Sequence, residues 1–263
     1  MKTLLGCRIN GMELGDIDEH VAVTDIREEG PALATLTCGN AKYGGTRLTR
    51  QTRQRLTVEI ALTILERNPA RRAEVADKIA AWCQDGYLTV SYRPGQRLGC
   101  VCVARPGLGS AMKWASELTI RYAALGLPWW EDELPTTARI SQPSREGQTV
   151  LSPAGTADWT LAEAAVTNRS GGTVNEVGIA CGETRMRFAG LGLADGETLS
   201  AAYDREGLLR LRISGAGVER SAMAMRTADS SDDLIARQRQ ANVIRLTADG
   251  AVTGRFQARG RYV

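Results

Sequence analysis

One histidine, two phenylalanines and no apolar run long enough to cross a bilayer set the first limits on this 263-residue chain. With a single histidine, any Ser–His or Cys–His mechanism has only His20 to draw on. It lies in the acidic run Asp16-Ile17-Asp18-Glu19-His20, with no nucleophile motif beside it, and a surface histidine is the preferred reading. The six cysteines, at 7, 38, 83, 100, 102 and 181, form no C-x-x-C. Cys100 and Cys102 share one face of a strand, whereas zinc sites pair close ligands from two loops, often with histidine. No metal site is expected, and the thiols are read as reduced and partly buried. No G-x-G-x-x-G follows a strand, and Gly44-Gly45 lacks the G-K-[ST] ending of a phosphate-binding loop. Glu131/Glu133 falls in a linker, and Asp232/Asp233 where a helix N-terminus favours negative charge anyway. Neither pair is read as catalytic. The expectation is a protein that is not an enzyme and holds no cofactor. The segment Met1–Gly6 has too short an apolar centre for a signal peptide, so the chain is expected to begin at Met1 and to be made in a cytoplasm.

What is present is ordinary for a globular protein: 43% hydrophobic and 24% charged residues. The length favours two domains over one. A net charge of +3 does not point to nucleic acid, although 33 Lys plus Arg leave room for a local basic patch. Arginines mostly alternate with apolar residues, as in Leu209-Arg210-Leu211-Arg212-Ile213, and are read as solvent faces of strands.

The stretch Arg55–Arg105 organises the chain. Leu56, Val58, Ile60, Leu62 and Ile64 alternate with mixed residues, which predicts a long half-buried strand. Asn68-Pro69 supplies an N-cap and a first-turn proline. Val75, Ile79 and Trp82/Cys83 then recur at helical spacing. Asp85-Gly86 is expected to end that helix with a left-handed residue. Tyr87–Tyr92 and Leu98–Val103 return to strand around the turn Arg93-Pro94-Gly95-Gln96. The predicted unit is strand, helix, strand, strand, with the helix across a mostly antiparallel sheet.

Around this unit, Asn10-Gly11 suits a type I′ hairpin turn. A glycine-punctuated basic segment, Gly39–Arg47 with Arg50, Arg53 and Arg55 following, reads as a long hairpin tip or loop, either a partner contact or plainly solvated. Trp114–Tyr122 predicts another strand. Trp129-Trp130 is read as a plug at the bottom of a core or an interdomain contact in preference to a sugar platform. The composition of Glu131–Gly147 shifts to Pro, Thr, Ser, Glu and Arg, which places a domain boundary near residue 138. Short strands follow with turn signals every ten residues or so, the rhythm of a β-sandwich. Ser230-Ser231-Asp232-Asp233 is a helix-start signal, and a last hairpin is expected to turn at Asp249-Gly250.

Several strings in this order carry a family resemblance. They are Arg55–Ile60, the helix from Pro69 through Trp82, Tyr87–Tyr92, Val103–Pro106, Lys113-Trp114 and Tyr122, then Pro128–Glu131. In the second half they are Val166-Thr167-Asn168, Gly190–Leu193 followed by Gly196-Glu197, Ser230–Leu234 and Phe256–Tyr262. Together they resemble the distal tail protein (Dit) family of long-tailed bacteriophages and prophages over nearly the whole chain. The resemblance implies a mainly β fold. Residues 1–137 would form a tail-tube-like β-sandwich with one flanking α-helix that builds rings, and residues 138–263 a galectin-like β-sandwich. It also implies a homohexameric ring, single or stacked, at the virion tail tip, assembled in the host cytoplasm. That ring would join the tail-tube protein above to the tail-associated hub protein below, with receptor-binding proteins as further partners in some members of the family. This chain has no large insertion of the kind that holds them, so the shorter, structural type of hub is expected. DNA would pass through only in transit, and nothing would insert in a membrane. Leu33–Ile64 offers the long strands and hairpin that ring assembly through sheet edges uses. The interface candidates are therefore Lys42, Tyr43, Arg47, Arg50 and Arg53.

Two rival functions accompany this reading. One is a carbohydrate-binding module of a phage or cell-surface assembly, with Trp159 and Tyr203 as stacking candidates. The other is a tail-tube protein proper, which shares the first domain's fold and stacks without end. The second domain has few aromatics, so a galectin-like fold there need not bind sugar.

Overall fold

The computed structural model describes residues 5–30, 36–40, 46–51, 55–106, 115–126, 128–215 and 217–262, and for 36–40, 46–51 and Val218 the backbone alone. It divides into two compact units, Met1–Trp130 and Glu131–Val263.

The first unit begins with β1 (Cys7–Ile9) and β2 (Met12–Glu13), joined through Asn10 and Gly11, both at positive φ as the hairpin turn requires. Next come β3 (Val21–Glu29), β4 (Leu36–Asn40), β5 (Thr46–Gln51) and β6 (Thr57–Ile64). Helix α1 (Pro69–Trp82) precedes β7 (Gly86–Val90), β8 (Gln96–Ala104) and β9 (Ser116–Ala124). The sheet runs β2-β1-β7-β8-β9-β6-β3, and its pairs are antiparallel. Strand β6 shows the expected alternation, with Val58, Ile60, Leu62 and Ile64 buried and the residues between them half-buried. Each buried side chain of this size contributes about 1.5–3 kcal/mol.

Helix α1 starts where the sequence places it. Asn68 Oδ1 accepts from the Ala70 amide at 3.0 Å, and Pro69 occupies the first turn. Val75, Ala76, Ile79 and Trp82 form the buried stripe. The Trp82 ring meets Tyr122 of β9 edge-on (centroids 6.3 Å apart, 82° between planes), and its indole N–H donates to the Met12 carbonyl at 2.9 Å. Gly86 differs from expectation, for it is not among the residues at positive φ. It is glycine because the Asn10 side chain fills the space a Cβ would take, 1.9 Å from Oδ1. That amide accepts from the Tyr87 N–H and donates to the Asp85 carbonyl, locking the first hairpin onto β7.

Strand β10 (Trp130–Asp132) straddles the division. The second unit continues with β11 (Thr136–Leu151), β12 (Trp159–Asn168), β13 (Val177–Cys181), β14 (Thr184–Phe188), β15 (Thr198–Tyr203), β16 (Leu209–Gly215) and β17 (Val218–Ser221). It closes with β18 (Ile235–Arg237), β19 (Asn242–Ala258) and β20 (Arg261–Tyr262).

Strand β19 is continuous through Asp249 and Gly250, where the sequence predicts a hairpin turn. Strand β11 pairs along almost its whole length, with register shifts between Ile140 and Glu146. On the other edge of β19, β13 pairs with residues 244–248 and β12 with residues 252–258. The β11–β19 ribbon therefore passes from the layer of β13 and β14 into the layer of β12, β15, β16 and β17. This is how a strand turns a corner between sheets at a bulge. Two glycines let the ribbon close on its concave side. A Cβ at Gly147 would come within 2.8 Å of Ile140, and one at Gly254 within 2.7 Å of the Phe256 ring and 2.9 Å of Leu246. Asp249 anchors the bend by accepting from the amides of Asn175 and Glu176. Ile179, Met186, Phe188 and Leu246 from one layer share a core with Val166, Leu199, Leu211 and Phe256 from the other.

The division at Trp130/Glu131 comes earlier than the expected 137/138. Thr136 and Thr137 already pair with Ala258 and Gln257, and Ala138 and Ile140 point inward. The polar composition that reads as a linker is the solvent face of β11. Ser230–Asp233 starts no helix. The hydroxyls of Ser230 and Ser231 accept from the amides of Arg187 and Arg185, spending their capping capacity on β14.

Candidate interaction surfaces

Several of the described titratable groups tie one element to another. His20 lies between two carboxylates, with Nδ1 2.8 Å from Asp18 and Nε2 3.6 Å from Glu66. Asp18, only 5% exposed, also receives Arg71 at 3.1 Å and Lys78 at 3.2 Å, which ties the loop before β3 to helix α1. The hydrogen bond from His20, with those of Lys78 and the charge of Arg71, holds the Asp18 carboxyl at about 2 against the opposing effect of burial. The same bond to Asp18 raises the His20 imidazole above its ordinary value. Both ring nitrogens face carboxylates, so this histidine is a clamp.

Burial pushes the Cys83 thiol up to about 12 and Cys181 to about 11, and it raises Cys7 and Cys102 as well. Such thiols stay protonated at neutral pH and are poor nucleophiles and ligands. Among the described residues no group of three His, Cys, Asp or Glu stands together as a metal would need. Among them also, no helix is long and apolar enough to cross a membrane. The carboxylate pairs are split between partners. Asp232 meets Arg226 at 3.2 Å, and Asp233 bonds the Tyr203 hydroxyl. Glu131 faces Arg259, which also donates to the carbonyl of Glu133.

Trp130 is buried in the first unit. Its indole donates to Glu28 at 3.1 Å, and the Arg93 guanidinium lies 5.2 Å from its ring while bonding the same carboxylate through two nitrogens. Burial opposes ionisation of Glu28, but the bonds from Arg93, Tyr92 and Trp130 outweigh it and hold the carboxyl below its ordinary range. Trp129 is buried too, so neither tryptophan of the pair offers a platform.

Strand β3 ends the sheet order and pairs only with β6 among the described residues. Hairpin β4–β5 lies in the connection between those two strands and forms a two-stranded sheet of its own, with Gly39 opposite Arg47 and Thr37 opposite Arg50. Of the interface candidates, Lys42, Tyr43 and Arg53 lie outside the described residues, as do the side chains of Arg47 and Arg50.

The two sugar-stacking candidates part company. Trp159 is half-exposed and lines a groove of about 520 Å³ together with Glu183, Arg237 and Gln240. Tyr203 does not line it. Its hydroxyl accepts from the Leu234 amide at 2.9 Å, and burial raises its pKa.

No protein-family model matches the sequence, and no curated protein does. Solved structures do match it. The chain is similar to the Dit protein of phage SPP1, described as a paradigm of the hub adsorption apparatus in phages infecting Gram-positive bacteria. Identity is 13% and the TM-score 0.65, over 97% of this chain and 98% of that one. It is also similar to a chain of the phage p2 baseplate in its activated, strontium-bound conformation, at 8% identity and a TM-score of 0.55 over 97% of each chain. At such identities the likeness is one of fold, and it spans both units of this chain: the mainly β fold is shared with SPP1 Dit and with that baseplate chain.

Proposed function

We propose that the protein is a structural component of a phage tail tip, a distal-tail hub that works by assembling and catalyses nothing. The observation that carries this is the end-to-end match to SPP1 Dit, which covers 98% of that protein and 97% of this one and so leaves neither unit unaccounted for. In this reading six copies close a ring that joins the tail-tube protein to the tail-associated hub protein and encloses a channel for DNA. Strand β3, which pairs only with β6 among the described residues, and the hairpin β4–β5 in the connection between those two strands suit ring closure through strand edges. Lys42, Tyr43, Arg47, Arg50 and Arg53 on and around that hairpin are the proposed contacts.

Light scattering of the purified protein, with negative-stain images of the same fractions, tests this. Six-membered rings, single or paired, are expected, and reversing the charge of Arg47, Arg50 and Arg53 together should break them into folded monomers. Open-ended tubes would make it a tail-tube protein. A protein that stays monomeric even with its neighbouring tail proteins would sink the hub.

A second reading rests on the Trp159 groove, where an aromatic side chain lines the wall together with charged and amide groups, the residue types that hold a sugar ring. It predicts glycan binding that Trp159→Ala abolishes without loss of fold. Silence on a glycan array counts against it.

A further inference from the structure

The outward face of the layer formed by β11, β19 and β12 carries a second groove, of about 560 Å³, with a different chemistry. Arg139, Arg169 and Arg255 line it with the hydroxyl residues Ser141, Thr167 and Thr253. Among the described residues lining it, none is acidic and none aromatic. Arg139 and Arg255 are directly opposite across β11 and β19, and Thr167 and Thr253 across β12 and β19. Arg169 extends β12 beyond Thr167, its amide bonded to the Ala251 carbonyl. Ala251 lies four residues from Arg255 along β19, a separation of about 13 Å at strand rise. Two guanidinium groups therefore stand at one end of the groove and one at the other, with hydroxyls between.

These arginines contrast with others on the same unit. Arg185 and Arg187 share Asp229, Arg210 holds Asp204, Arg212 holds Glu219, and Arg220 holds Glu197. Arg139, Arg169 and Arg255 have no ionic partner among the described residues. Glu163, one register step beyond Arg255 on the same face of β12, makes no ion pair with it. Like charges facing each other across two strands cost stability unless an anion lies between them. Guanidinium forks match the paired oxygens of phosphate, and the hydroxyls add donors for the further oxygens of a tetrahedral anion, which a planar carboxylate does not offer. Without an aromatic side chain the groove has nothing on which a base would stack.

We propose that this groove binds the phosphate groups of an extended polyanion that has no aromatic bases. The test is calorimetric titration of the full chain at low salt with four probes: linear polyphosphate, an abasic deoxyribose-phosphate oligomer, oligothymidylate of the same length, and polyglutamate. Polyphosphate and the abasic oligomer should bind, with affinity falling steeply as salt rises. Arg139→Gln/Arg255→Gln should weaken that binding at least about tenfold, as loss of charge-assisted bonds requires, while Arg210→Gln leaves it unchanged. Should the double variant melt early, Arg169→Gln at the far end provides the same readout. Absence of phosphate binding overturns the proposal, as does equal binding by wild type and both groove variants. Tighter binding of oligothymidylate than of the abasic oligomer would show a base reader, and equal binding of polyglutamate a carboxylate site; either also overturns it.

Discussion

The two units bury a β-sheet by different means. In the first, a helix covers the sheet. Val75, Ile79 and Trp82 lie on it, Trp82 reaching Tyr122 of β9 and the carbonyl of Met12, and polar ties around Asp18 and Asn68 hold the helix in place. In the second, the sheet covers itself through the bent β11–β19 ribbon, and no helix longer than a single short 3-10 turn occurs among its described residues. The difference decides which residues are irreplaceable. A helix-covered sheet depends on a few large side chains and their caps. A self-covered sheet depends on what its bend leaves room for.

Large-to-small changes in the cores should separate the units most sharply. Phe256→Ala is expected to cost about 3–5 kcal/mol, read by denaturant unfolding. Hydrogen exchange on the full chain should loosen in 136–258 and stay slow in 57–104. Trp82→Ala should do the converse, and exchange rising equally in both units for either variant would erase the distinction. Gly254→Val comes next, at about 1–3 kcal/mol, because the added carbons meet Phe256 and Leu246. Gly30, with an ordinary φ and open space around it, has no such neighbours, so overpacking there should be absent. Asn68→Ala should remove about 1 kcal/mol from the first unit, and Asn68→Asp should restore most of it.

The smallest effect is the pH dependence of the clamp, because Arg71, Lys78 and His20 are partly exposed and screened. Asp18 is depressed, so its contribution is present above the ordinary carboxylate value of 3.8 and fades as pH falls from there towards about 2. His20 is raised, so its contribution is complete below 6.5 and is lost as pH climbs through the elevated folded value. Melting temperature against pH should show both limbs in the wild type and shallower ones in Asp18→Asn, because Glu66 still raises His20 and other carboxyls, Glu28 and Asp204 among them, are also held low.

Much of the first unit was legible because its signals are local. The alternation from Leu56 to Ile64, the Asn68-Pro69 cap and the helical stripe ending at Trp82 each fix an element with little outside help. The mainly β fold with one helix was also legible, and so was the likeness to Dit proteins. The features that misled are those whose meaning is set by a distant partner. Asp249-Gly250 has turn chemistry, yet the amides of Asn175 and Glu176 and the facing β11 hold it in a strand. Ser230 and Ser231 have cap chemistry, yet β14 uses it. Gly86 has stop chemistry, yet Asn10 explains it. The arginine groove was hidden for the same reason. Arg139 and Arg255 are 116 positions apart, and only the antiparallel register sets them opposite each other. In sequence each is one more arginine on a solvent face.

The bent ribbon has a mechanical consequence. Because Asn242–Ala258 is one covalent run through both layers, a pull on either layer reaches the other along peptide bonds, not only through the slip of packed side chains. Its partner β11 runs antiparallel beside it over nearly the same length, so tension along the ribbon loads many hydrogen bonds at once in shear, where a hairpin at Asp249 would have let them peel one by one. The two layers are thereby stitched against sliding, and the seam is stiffest along its length and most compliant across the bend.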